Sequence, residues 1–197
     1  MKKRWGYVSS FGALWGAIEI TLGSFLHSLR LPFTGTFLAS MSAGLLVAQR
    51  QFTSFRGISI YTGIVAALIK SLSPDGIVIG PMVGILSEAI IVELILLIYP
   101  RSVITAVLAG VFCATWATLQ GLLHQWLIYG SSIIELYLEL IKESQKVLSI
   151  SNITGIYLIV LFFSIIFLVS SSVTLFGFFI AKECKKVLIE QGLLKNN

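Results

Sequence analysis

Six apolar runs, at about residues 7–28, 32–48, 57–72, 77–98, 102–128 and 154–181, take up most of this 197-residue chain. Each is near or beyond the roughly 20 residues that an α-helix needs to cross a bilayer core. In lipid every backbone N–H and C=O must find a partner within the chain, so runs of this kind fold as helices. Turn chemistry separates them: proline in Leu31-Pro32 suits a first helical turn, Ser73-Pro74-Asp75-Gly76 is a strong turn, and Tyr99-Pro100 ends the fourth run. The expected fold is all-α, one membrane domain over 1–197 with six transmembrane helices.

Composition points the same way. Hydrophobic residues make up 56% and charged residues 12% of the chain, against about 45–50% and 25% in soluble domains, and mean hydropathy is +0.94. Six spans leave no stretch for an extramembrane catalytic or nucleotide-binding domain. The net charge of +5 would suggest nucleic acid in a soluble protein. Here the basic residues flank apolar runs, so the expected partner is the lipid bilayer and no nucleic acid. Met1-Lys2-Lys3-Arg4 opens like a signal peptide, but no small-residue cleavage site follows, and the run is read as the first membrane helix. Cys113 and Cys184 lack disulfide or zinc spacing.

Orientation follows from the cations. Lys2, Lys3, Arg4, Arg50, Arg56, Arg101, Lys182, Lys185, Lys186 and Lys195 fall on one side, ten of the fourteen Lys and Arg, with Arg30, Lys70, Lys142 and Lys146 on the other. The positive-inside rule places both termini in the cytoplasm of a multi-pass cell-membrane protein. Between the last two spans, residues 131–148 carry Glu135, Glu139, Lys142, Glu143 and Lys146 at helical spacing among apolar residues. This predicts an extra amphipathic helix on the outer side, either resting on headgroups or covering an outward cavity.

Polar residues inside the runs carry the functional signal. Glu19, Glu88 and Glu93 fall within spans, and a charge at mid-bilayer costs at least about 2.5–3.5 kcal/mol, so each must be neutralised, paired or functional. Glu93 is about 7 Å nearer the cytoplasm than Glu88 and about 140° around the helix from it, so the two should serve different neighbours. His27, His124 and Gln120 lie in the outer half. Together with Glu19 and Glu88 they can converge on one outward-facing cavity, where Trp15, Trp116 or Trp126 can stack on a planar or cationic group. The plainer alternatives stay open: interfacial histidines, bundle-filling tryptophans and carboxyls bonded to a neighbouring helix; Lys70 is expected to snorkel to the surface, or near Asp75 to gate an entrance. On the first helix Gly12 and Gly16, and Ala13 and Ala17, are spaced by four, giving a low-bulk side for close approach of a partner helix.

Enzyme signatures are missing: there is no GxGxxG or Walker sequence, HExxH, GxSxG, paired metal-binding aspartates or Cys-His pair at suitable spacing. The expectation is a non-enzyme with no cofactor and no metal site.

Ala13-Leu14-Trp15-Gly16-Ala17 on the first helix, Gly80-Pro81-Met82-Val83-Gly84 opening the fourth, and six spans in just under 200 residues together resemble the substrate-binding S components of energy-coupling factor transporters. The resemblance implies capture of a vitamin or vitamin precursor in an outward-facing cavity. It also implies docking through an AxxxA-type face, here Ala13 to Ala17 with Gly12 and Gly16, onto a transmembrane coupling subunit served by cytoplasmic ATPases. Metal-specific members carry a histidine near the amino terminus, which Met1-Lys2-Lys3-Arg4 lacks, against cobalt or nickel. On this reading the substrate-binding candidates are Glu19, Glu88, Gln120, His124, His27 and Trp116. The competing classes are an ion-coupled carrier or channel using Glu19 and Glu88, a non-transporting scaffold, and an unrecognised membrane enzyme.

Overall fold

The computed structural model describes residues 2–29, 34–73, 79–130 and 155–194, and every regular element among them is helical. The expected amphipathic helix over 131–148 lies outside the described residues. Helix α1 (Lys2–Ile18) runs through a π-helical segment (Glu19–Gly23) into α2 (Ser24–Ser28), followed by α3 (Thr34–Phe52), α4 (Ile58–Lys70), α5 (Ile79–Ile98), α6 (Val103–Tyr129) and α7 (Gly155–Glu190). Among the described residues three stretches, Ile79–Ile98, Val103–Leu127 and Val160–Glu190, are long and apolar enough to cross a membrane. Helix α4 is apolar but has only 13 residues, about 20 Å at 1.5 Å rise.

Helix α3 is the hub. It packs against α7, α6, α5 and α1, while α1 pairs with α4, α4 with α5, α5 with α6, and α6 with α7 around it. The hub buries Ala39, Ala43, Leu46 and Val47, and also Ser40, Ser42, Gln49 and Arg50, so its polar groups must be bonded inside the bundle. Gln49 meets this need by donating from Nε2 to Tyr7 O at 3.1 Å and to Thr62 Oγ1 at 2.8 Å, which ties α1, α3 and α4 together. Outward faces of α5, α6 and α7 are apolar, with Leu94, Ile104, Phe112, Leu168 and Phe176 exposed, as a lipid-facing surface requires.

Close helix approach relies on small residues, as in other membrane bundles. A Cβ on Gly177 of α7 would lie 2.5 Å from the Gly44 carbonyl oxygen of α3, and one on Gly110 of α6 would lie 2.6 Å from Thr174 Cγ2. Gly57 precedes α4 at φ 81°, a left-handed conformation that glycine adopts without steric cost.

Candidate functional site

Glu19 opens the π-helical segment and is buried, as is Glu88 of α5. One turn before it on α1, Trp15 donates from Nε1 to Glu19 Oε1 at 3.4 Å. From α4, the Lys70 ammonium donates to the Glu19 backbone carbonyl at 3.0 Å. Gly23 lies beside both groups: a Cβ there would be 3.8 Å from Glu19 Oε2 and from Lys70 Nζ. Glu88 accepts from Ser42 Oγ of the hub helix at 2.5 Å and stands within electrostatic reach of Glu19. Four helices thus direct two carboxylates, an ammonium, an indole and a hydroxyl into one buried region. Short π-helical segments inside α-helices recur at functional sites.

Lys70 corrects the sequence reading. It is only 4% exposed and donates to a backbone carbonyl on another helix, so its ammonium lies inside the bundle. The small-residue face of α1 also divides. Cβ atoms on Gly12 and Gly16 would sit 2.7 Å from Val65 and 2.6 Å from Ile69 of α4, so these two glycines seat α4 within the chain and offer no outer docking face. Ala13 and Ala17 are exposed.

The remaining candidates sit on α6 and α2, and on α6 Cys113, one turn before Trp116, donates to Glu88 O at 3.7 Å. Gln120 donates to Gly80 O at 3.2 Å and abuts Gly84, joining α6 to the start of α5. His124 is exposed on α6. His27 falls on α2, and its side chain lies outside the described residues. Trp116 is half-buried, and its Nε1 is buried without a hydrogen-bond partner among the described residues. Nearby on the same helix, Thr118 bonds Thr36 of α3 at 3.0 Å. Along α7, Val160, Phe163, Ser164, Phe167 and Leu168 line an open, mainly apolar hollow, a face suited to lipid.

Glu93 does different work from Glu88. Its Oε1 pairs with Arg50 Nη2 at 2.8 Å and accepts from Gly57 N at 2.6 Å, and its Oε2 accepts from Ser59 N at 3.0 Å. The carboxylate therefore caps the N-terminus of α4, where unpaired N–H groups and the helix dipole favour negative charge. Arg50 also donates to Phe55 O at 2.7 Å. Lys70 closes the opposite end of α4, twelve residues or about 18 Å away. The Glu93 cluster is structural, and the Glu19–Lys70–Glu88 region is the candidate site. No protein family, curated protein or solved structure matches this chain.

Proposed function

We propose that this chain is a six-span membrane protein, both termini cytoplasmic, that captures a small polar solute in its outer half and passes it to a separate ATP-driven coupling module. A vitamin or vitamin precursor is the expected solute class, as in the S components that the sequence resembles. The observation that carries the reading is the buried convergence of Glu19, Lys70 and Glu88 with Trp15 and Ser42. Ionisable groups inside membrane bundles are rare and mark solute or ion pathways. A few convergent polar groups within apolar walls are also the usual make-up of a small-molecule site. The region offers carboxyl, ammonium and hydroxyl groups to a polar solute, and an ionised carboxylate would suit one bearing a cationic group. Orientation is supported by the basic residues at the Glu93 end: Arg4 lies over the Phe55 ring at 5.3 Å, and Arg101 reaches Ser54 at 3.0 Å.

Native mass spectrometry of gently solubilised protein should find a co-purified small molecule. Glu19→Gln and Glu88→Gln should each weaken its binding by about 1–3 kcal/mol, the cost of losing a charged hydrogen-bond partner. Wild-type affinity in both variants would return the two carboxylates to a structural role. Docking on the outer side of α1 makes a separate prediction. Ala13→Trp should abolish coupled uptake while leaving solute affinity of the isolated protein within about twofold, since association of membrane helices rests on close packing. Gly16→Leu does not test docking, because it strikes Ile69.

A second reading, an ion-coupled carrier, is favoured by the mutual electrostatic reach of Glu19 and Glu88. Protein reconstituted alone in liposomes would then show solute flux driven by a pH gradient, which the capture reading excludes.

A further inference from the structure

The end of the bundle that holds the Glu93 cap contains a second group of cations outside that ion pair. Arg101 lies in the turn between α5 and α6 at φ 65°, a left-handed conformation uncommon for any residue but glycine. Its guanidinium extends over the corner between α3 and α4, where Nη2 donates to Ser54 Oγ at 3.0 Å and Nε to Arg50 O at 3.4 Å. Nη1 makes no hydrogen bond among the described residues. From the other side α7, which meets α6 at Gly110–Thr174 and α3 at Gly44–Gly177, carries Lys185 eight residues, about 12 Å, beyond Gly177, to within electrostatic reach of Arg101. No carboxylate among the described residues pairs with either cation: Glu93 is taken by Arg50, Gly57 and Ser59, and Glu183 and Glu190 are exposed on α7. Two like charges held together are unfavourable until an anion joins them.

The depth of this cluster is marked by aromatic residues. Tyr99, two residues before Arg101, is 70% exposed, and Trp5 and Tyr61 are exposed and in edge contact beside Phe55 at the same end. Such rings settle at the level of lipid headgroups.

We propose that Arg101, Lys185 and Ser54 form a site for a phosphate group at headgroup level, between the α3–α4 corner, the α5–α6 turn and α7. The guanidinium supplies directional N–H donors to phosphate oxygens, Lys185 a mobile point charge and Ser54 a hydroxyl. An anionic glycerophospholipid and free phosphate offer the same chemistry. Basic pockets between helices at the cytoplasmic surface take such headgroups. The site stands apart from the solute-capture reading and does not depend on it.

The test uses full-length protein stripped of lipid in detergent, titrated separately with phosphatidylglycerol, phosphatidylcholine and inorganic phosphate while the thermal unfolding midpoint is followed. Phosphatidylglycerol should raise the midpoint and phosphatidylcholine should not. The phosphatidylglycerol concentration for half the effect should rise about tenfold in Arg101→Gly and in Lys185→Ala, and by less than about twofold in Lys186→Ala, which removes the same charge from an exposed position. Arg101→Gly also loses the Ser54 bond, but the readout compares two lipids within each variant, so a general loss of stability cancels. A response to phosphatidylglycerol alone assigns the site to a lipid headgroup, and an equal response to inorganic phosphate assigns it to a soluble anion. Equal stabilisation by phosphatidylcholine, equal loss in Lys186→Ala, or no response to either anion would overturn the site.

Discussion

Glu93→Ala is expected to destabilise the protein by about 3–5 kcal/mol, because it leaves Arg50 as an uncompensated buried charge. Arg50 is 2% exposed and would keep only its bond to Phe55 O, while Gly57 N and Ser59 N would lose their acceptor. The measurement is equilibrium unfolding in mixed micelles. Replacing both partners with apolar residues of similar size, as in Arg50→Met with Glu93→Leu, should restore most of the loss, since a buried ion pair rarely outperforms well-packed hydrophobic side chains. Recovery should fall short by about 1 kcal/mol, the usual worth of a helix cap. Wild-type stability in Glu93→Ala would show that the pair does not hold the α3–α4–α5 junction.

The α3–α7 crossing gives the second large effect. Gly177→Leu should prevent recovery of monodisperse folded protein, a loss beyond the usual 1–3 kcal/mol of overpacking. The first added carbon would meet the Gly44 carbonyl, and backbone cannot step aside as a side chain can. A graded series makes this quantitative by size-exclusion chromatography and denaturant titration. Gly6→Ala meets nothing within 4 Å and should be neutral, Gly44→Ala meets Val173 O at 3.1 Å and should be intermediate, and Gly177→Ala should be worst of the three. Equal behaviour of all three would mean that α7 does not seat closely on the hub.

Where the sequence resolves the fold and where it does not has identifiable physical causes. Hydropathy and turn chemistry locate α5 and α6 to within two residues, 77–98 against Ile79–Ile98 and 102–128 against Val103–Tyr129, helped by Ser102 capping Ile104 N. The last helix runs to Glu190, beyond the expected 181, because its basic end is rich in Lys, Glu and Leu. Those residues favour helix after hydropathy has ended. Glu19 and Glu88 stand out in sequence because carboxylates are costly in apolar runs. Lys70 does not, because its acceptor is a carbonyl fifty-one residues away in the chain. The π-helical segment is equally hidden, since no residue pattern on the first helix marks where it widens. Spacing by four identifies two small-residue pairs on α1, but Gly12/Gly16 and Ala13/Ala17 are only about 100° apart around the helix. Periodicity alone leaves open which pair turns inward.

The central place of α3 also sets an order of assembly. The chain makes this helix early, yet the face around Gly44 is covered by α7, whose first described residue is Gly155. At ordinary synthesis rates the roughly hundred intervening residues take on the order of 5–20 s. Over that interval the hub has one side unclosed, held by Gln49 to α1 and α4 and by Arg50 to Glu93. The polar bonds of its inner end thus act as a temporary clasp, and chains that terminate before α7 would expose the glycine face to membrane quality control.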